Sequence, residues 1–292
     1  MHPFSYKNAH LQIMISIIVC SRKPSLPNAL SENIEHTVGE AFETICINNS
    51  GNRWSIFGAY NQGVKQARGD ILLFMHDDIV FRTQNWGQVI TKSLEDKQSG
   101  IVGVLGGHII DETSVSWTSS GFYSGQVIQV TNGTTTTYNH NEAGLGNTVI
   151  ALDGMLLAMR KELFDKEILK WDSDTYNGFH FYDLDICMQA VSHGYQVKVV
   201  PILLEHHSLG AFNQSFYDSC KVFHLKWDDL LPVHSPTITP EKQKKAYRKA
   251  MEKICAQGKT IATHTQLMHK LPYRISTKLL LLCGIDPYQT NG

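Results

Sequence analysis

No two cysteines in this 292-residue chain have the spacing of a zinc site or of a redox-active pair. The six present, Cys20, Cys46, Cys187, Cys220, Cys255 and Cys283, are scattered singly. Cys20, Cys46 and Cys187 stand among apolar neighbours, the setting of small buried hydrophobes in a reducing compartment. Long apolar runs are missing as well. Residues 11–20 are too few to span a bilayer and have neither a basic flank nor a small-residue cleavage site, and residues 279–283 are fewer still. The expectation is a cytoplasmic protein without a leader or a spanning segment, whose contact with a membrane would be peripheral. Charge of one sign is lacking too: 26 Lys and Arg meet 27 Asp and Glu, a net charge of −1. No nucleic-acid partner is expected from that balance, but the total hides a split. Residues 241–292 hold ten basic and three acidic side chains, net +7, so the residues before them carry a net −8.

With 42% apolar and 18% charged residues the composition is that of an ordinary globular protein, which excludes a disordered chain. Its length suits one large α/β domain, with or without a helical appendix. Ile13–Cys20, Glu43–Ile47, Ile71–Met75 and Ile101–Leu105 read as short buried strands. Helical stretches Leu30–Val38, Ser55–Ala67 and Asn85–Glu95 separate them. Strands alternating with helices over about the first 110 residues predict βαβ units and a mostly parallel sheet. The segment Ser114–Asn141 then changes to Thr, Ser, Gly, Tyr and Asn. Its alternating stretch Gln126–Thr131, followed by Asn132-Gly133, predicts a hairpin over a binding face. Ala151–Met159 is apolar around Asp153-Gly154, Tyr182–His193 reads as an amphipathic helix stopped by Gly194, and Gln196–Val200 as a further strand. Thr239-Pro240-Glu241 has the order of an N-cap, a first-turn proline and an acid, and opens a Lys-rich helix over Pro240–Gln257.

Three clusters could carry chemistry. His76-Asp77-Asp78 follows a buried strand directly, and ligands of open α/β sheets bind at such strand ends. Adjacent carboxylates repel unless a cation or donors hold them, and hard divalent cations take carboxylate oxygen while sharing their remaining positions with phosphates. Asp183 and Asp185 open a helix, where the macrodipole favours acids. Two residues apart, they cannot share one face, so one would point to the cleft and the other serve structure. Glu205-His206-His207 follows the strand Gln196–Val200, and an imidazole beside carboxylates is a metal ligand or a proton carrier. Each cluster alone could equally be a solvated loop or a helix start.

Order and spacing together say more. The string from Gly58 through Asn61, Gly63, Ala67-Arg68-Gly69 and the strand 71–75 to His76-Asp77-Asp78 resembles the nucleotide-sugar half of inverting family-2 glycosyltransferases. Asp153-Gly154 with Arg160 and Phe164 resembles that family's strand-helix segment on the acceptor side. Tyr182-Asp183-Leu184-Asp185, Gly194-Tyr195-Gln196-Val197 and Val200-Pro201 with His206-His207 follow in the family's order. The branch resembled has His-x-Asp in place of Asp-x-Asp. The likeness spans about residues 13–210. It implies an α/β, Rossmann-like GT-A fold, a mostly parallel sheet flanked by helices with a C-terminal helical extension. The domains expected are 1–210, divided near 110 into nucleotide and acceptor halves, and a basic extension 211–292.

Carried over residue by residue, the resemblance implies a metal, Mn2+ or Mg2+, bound by Asp78 with His207, or with His206 if the loop is one residue shorter. Asp183 would be the general base, and Tyr182 stands where the family has Glu. The donor, a nucleotide-diphosphate sugar with UDP as the default, would meet Ser21, Arg22, Asn48, Asn61, Arg68, His76, Asp77, Asp78, Gly107, Asp153 and Gly154. Trp117, Tyr182 and Asp185 would contact a glycan or lipid-linked acceptor. Two departures leave the nucleobase open: Asn48 replaces the usual Asp, and Cys20-Ser21-Arg22 replaces Pro-Thr-Tyr. Rival readings are a catalytically silent sugar-nucleotide-binding protein and a pyrophosphorylase. The latter is disfavoured because Cys20-Ser21-Arg22-Lys23-Pro24-Ser25 has no glycine to form its loop. The basic tail, with Leu271, Ile275 and residues 279–282 among its Lys and Arg, could rest on an anionic membrane surface or pack as a plain solvated helix.

Overall fold

The computed structural model describes residues 13–112, 114–140, 147–208, 213–246 and 248. The chain begins β1 (Met14–Ser21), α1 (Asn28–Thr37), β2 (Ala41–Asn48), α2 (Ile56–Gln66), β3 (Ile71–Met75), and β1 pairs in parallel with both β2 and β3. Parallel neighbours need a crossover, and α1 and α2 supply it. The Ser55 side chain caps α2 by accepting the Gly58 N–H at 3.2 Å. Gly63 lets that helix lie close to the sheet, since a Cβ there would stand 2.2 Å from Ile18 Cγ2.

After β4 (Ile79–Phe81) and α3 (Trp86–Glu95) come β5 (Ser99–Gly103), β6 (Leu105–Gly107) and β7 (Ile109–Ile110). The single strand expected over 101–105 is therefore two, because the chain changes sheets at Val104. β8 (Tyr123–Thr131) and β9 (Thr134–His140) form the expected hairpin, turning at Asn132 and Gly133 with φ of 49° and 76°, the positive pair that an Asn-Gly turn accommodates. The apolar stretch around Asp153-Gly154 is likewise divided, into β11 (Ala151–Leu152) and β12 (Leu156–Arg160), with β10 (Thr148–Val149) before them. Then follow α4 (Glu162–Asp165), α5 (Tyr182–Ser192), β13 (Gln196–Val199), β14 (Leu204–His206), α6 (Gln214–Trp227) and β15 (Val233–His234).

The main sheet has seven strands in the order β10-β13-β5-β12-β3-β1-β2. β1, β2, β3, β5 and β13 run one way, while β12, between β3 and β5, and the edge strand β10 run against them. The second sheet, β11-β6-β8-β14-β4 with β9 on β8, stands at the carboxyl edge of the first. Period-two alternation sorts the main sheet into two cores. Ile18, Leu72 and Phe74 face one side with Phe57 and Tyr60 of α2, and Ile17, Leu73 and Met75 face the other with Leu30 of α1 and Ile90 of α3. Burial on both faces is why β1 and β3 read as unbroken apolar runs.

Two elements differ from expectation. α5 is enclosed rather than amphipathic: Tyr182 and Leu184 through Ala190 are buried, because the helix packs on β5, β11 and β13 while Lys226 and Trp227 of α6 reach Asp185. Packing also continues across residue 210. Phe216, Cys220 and Phe223 of α6 join the main core, and β15 pairs with β7. Residues 240–246 are helical as predicted, with the Thr239 hydroxyl accepting the Lys242 N–H at 3.3 Å. The rest of the expected helix to Gln257, and the basic apolar segment Lys270–Ile285, lie outside the described residues. No helix among the described residues is long and apolar enough to cross a membrane.

Candidate active site

β3 is apolar and buried along its whole length, so the charges that follow it must emerge at the sheet's carboxyl edge. There His76, Asp78 and His206 meet, their ligand-type atoms all within 4.8 Å of one another. His206 arrives from β14, which runs antiparallel to β4 with His206 opposite Ile79, and the His207 N–H donates to the Asp78 carbonyl at 2.9 Å. His76 Nδ1 is 3.7 Å and His206 Nε2 3.6 Å from Asp78 Oδ1. That oxygen is buried and accepts no hydrogen bond. Burial holds the His206 imidazole below its usual pKa, against the pull of Asp153 and Asp78, which keeps the ring in the neutral form that can ligate a cation. A carboxylate oxygen left unpartnered between two imidazole nitrogens is chemically suited to a divalent cation.

β14 alternates sides, and this decides between the two histidines. Leu204 and His206 point inward, whereas Glu205 and His207 point outward and contact each other at 3.3 Å. His206 therefore belongs to the cluster and His207 does not. His76, expected at the nucleotide, is the third member. Its other ring nitrogen, Nε2, lies 2.7 Å from the Tyr182 hydroxyl.

A cavity of about 570 Å³ opens beside the cluster, with Trp117, Tyr123, Asp153, Tyr182, Asp183 and His206 in its wall. Asp183 sits in the first turn of α5, half-buried, with its carboxylate accepting the Leu184 N–H at 2.9 Å. Burial first, then the Asp153 carboxylate, push its pKa up to about 7, while backbone N–H groups of Leu184, Asp183 and Gly154 oppose the rise. Asp153 is held by the Trp117 indole N–H at 3.1 Å and the Met155 N–H at 2.9 Å. Gly154 leaves room for Tyr182: a Cβ there would stand 2.1 Å from the phenol oxygen.

On the other flank, the ends of β1, β2 and β3 bring Ser21, Asn48 and Asp77 to one edge. The Ser21 hydroxyl donates to Asp77 at 2.5 Å, and Ser21 is in register with Asn48. Asn48 is exposed and accepts the Ser50 N–H at 3.0 Å, and Arg22 is exposed in the loop after β1. The buried neighbour Asn49 braces the next loop through both the N–H and the carbonyl of Trp54.

Four residues expected at the site are elsewhere. Arg68 precedes β3, at the opposite edge of the sheet from His76, and its guanidinium pairs with Glu43 at 2.7 Å. Asn61 donates to the Trp171 carbonyl at 2.8 Å and ties α2 to the following loop. Gly107 faces protein, since a Cβ there would stand 2.0 Å from the Trp117 carbonyl oxygen. Asp185, 1% exposed, lies beneath the site and takes bonds from Lys226, Trp227, Tyr176 and Gln189. The cavity also has an aromatic wall, and Trp117, expected to contact the acceptor, is part of it. Trp117 and Tyr123 meet edge to face at 6.0 Å, and Tyr123 meets His140 at 4.2 Å.

Helices on both faces of a largely parallel sheet, with acids and imidazoles at its carboxyl edge, fit an enzyme of the sugar-transferring class. The model of a glycosyltransferase-like family matches residues 16–221, and the chain belongs to that family. A curated relative from Fuscovulum blasticum, named ATP synthase subunits region ORF 6, is 22% identical over 217 residues, 70% of this chain and 80% of that one. Among solved structures, GalNAc-T7 with UDP, GalNAc and Mn2+ overlays at a TM-score of 0.49 and 11% identity, over 82% of this chain. This chain spans little more than half of that one, 55%. Mannosyltransferase PcManGT from Pyrobaculum calidifontis, in complex with GDP-Man and Mn2+, overlays at 0.44 and 13% identity, over 92% of this chain and 84% of that one.

Proposed function

We propose that this glycosyltransferase moves a sugar from a nucleotide-diphosphate donor, a UDP-sugar by default, to a hydroxyl of a glycan or lipid-linked acceptor, with inversion at the anomeric carbon. Its cofactor is a divalent cation, Mn2+ or Mg2+, held by Asp78, His76 and His206. The observation that carries this reading is the buried, unpartnered Oδ1 of Asp78 between two imidazole nitrogens. When bound, the cation supplies positive charge to the leaving diphosphate.

The chain's own residues would do the rest. Ser21, Asn48 and Asp77, at the ends of the parallel strands, would meet the nucleotide. Asp183 faces the cavity and would take the proton of the acceptor hydroxyl, a role typically worth about 10²–10⁴-fold in rate. Its raised pKa suits a base that must hold a proton near neutrality. Trp117 offers an indole to the apolar face of a sugar while fixing Asp153. A single displacement, with the base opposite the leaving group, inverts the configuration.

Release of free nucleotide diphosphate from a panel of nucleotide sugars in Mn2+ tests the reading. Slow hydrolysis of one donor is expected, and none from any donor would contradict it. The basic tail, residues 241–292, is the candidate contact with an anionic membrane. Flotation with anionic liposomes, comparing the full chain with one ending at residue 239, tests that separately.

A further inference from the structure

We propose that Tyr182 is a positioning residue of the metal centre: its hydroxyl oxygen accepts the Nε2–H of His76 and so keeps the Nδ1 lone pair of that ring aimed at Asp78 and His206. The inference rests on the metal site proposed above and assigns it a residue outside the ligand set.

Three observations carry it. The first is the contact itself, 2.7 Å between the phenol oxygen and His76 Nε2, while Nδ1 on the other side of the ring is 3.3 Å from His206 Nε2 and 3.7 Å from Asp78 Oδ1. A neutral imidazole has one N–H and one lone pair. For Nδ1 to ligate a cation, the hydrogen must be on Nε2, where Tyr182 is the only partner in reach among the described residues. Ligating histidines usually have such an acceptor on the second nitrogen, which fixes both tautomer and ring orientation.

The second is that the phenol is held in place. Tyr182 is buried against Tyr60 at 5.8 Å, Trp171 at 6.2 Å and Phe57 at 6.4 Å between ring centroids. The third is Gly154. The space its missing Cβ leaves is occupied by the tip of Tyr182, so the backbone beside Asp153 is shaped around the hydroxyl. A ring serving only to fill the core would not need its oxygen there, against a glycine and a histidine.

Tyr182→Phe removes one oxygen and keeps the ring. The test measures Mn2+ affinity of the full-length protein, without nucleotide, by electron paramagnetic resonance, for wild type, Tyr182→Phe and Asp78→Ala. Loss of an outer-shell partner typically weakens metal binding about 10–100-fold, and a weakening of at least about tenfold is expected for Tyr182→Phe. Affinity unchanged in folded Tyr182→Phe, with binding abolished in Asp78→Ala, overturns this proposal and leaves the metal site standing. Wild-type protein that binds no Mn2+ overturns both. Should Tyr182→Phe not fold, nitrogen-15 spectra of His76 in wild-type protein loaded with diamagnetic Zn2+ decide. A protonated Nε2 beside a metal-bound Nδ1 supports the assignment, and a protonated Nδ1 overturns it.

Discussion

His206 Nε2 lies 3.6 Å from Asp78 Oδ1, and that oxygen accepts no hydrogen bond although it is buried. Side chains 128 positions apart are brought together by the antiparallel pairing of β4 with β14. A buried acceptor left unpaired costs about 1–3 kcal/mol, more when charged. A cation between the two residues and His76 would recover that cost, and the first predictions follow from it.

Metal preference should favour Mn2+ over Mg2+. Two imidazoles and one carboxylate suit transition metals, whereas Mg2+ prefers oxygen ligands and retained water. Titrating the protein with each cation while following thermal stability should show tighter apparent binding of Mn2+. Equal affinities would argue for an all-oxygen site elsewhere.

Asp183→Asn should abolish transfer and yet raise the melting temperature of the metal-free protein. The folded pKa, about 7, exceeds the ordinary aspartate value of 3.8. The native state therefore holds this proton longer than the unfolded chain does. Stability from the group is full below about pH 4 and is lost as pH rises to about 7, a penalty of at most about 4 kcal/mol. The amide is neutral and escapes that penalty. Thermal melts of both proteins at pH 5 and pH 8 should differ mainly at pH 8. Wild-type transfer should rise with pH through the same range, because the base must be unprotonated.

Arg68→Ala should leave donor affinity within about twofold of wild type, the scatter of a surface change remote from the site. Its guanidinium lies beside Glu43 at the amino edge of the sheet, with the whole of β3 between it and His76. A large loss of donor affinity, measured by calorimetry, would require the nucleotide to reach that edge.

Lys226→Met should destabilise the fold by about 3 kcal/mol, the cost of stripping the partner from a buried carboxylate. The Lys226 ammonium lies 2.7 Å from Asp172 and 2.9 Å from Asp185 and ties α6 to α5 beneath the site. Chemical denaturation measures the loss. By the same packing, a chain ended at residue 210 would expose the core residues that Phe216 and Phe223 cover.

What could be read from the sequence was local or periodic. β1 and β3 announce themselves as apolar runs, and Asn132-Gly133 as a turn, because each rests on a few adjacent residues. Position along the chain misled where topology reverses direction. Arg68 is close to His76 in sequence, but a buried strand separates them and carries them to opposite edges. The choice between His206 and His207 needed strand phase, which a short element ending in two histidines does not reveal. The resemblance puts both Tyr182 and Asp185 at the acceptor, yet the Tyr182 hydroxyl meets His76 and the Asp185 carboxylate meets Lys226, contacts that cross the fold. The split of Ala151–Met159 was hidden because both pieces are equally apolar and only the sheet change at Asp153-Gly154 divides them.

In the proposed function Asp78, His76 and His206 hold a cation that binds the donor's diphosphate. Calorimetric titration of UDP and GDP into the full-length protein, with and without Mn2+, and into Asp78→Ala under the same conditions, tests it most directly. At least one nucleotide is expected to bind wild type much more tightly in Mn2+, and Asp78→Ala is expected to abolish the difference. Binding of either nucleotide to Asp78→Ala with the Mn2+ dependence intact would contradict it.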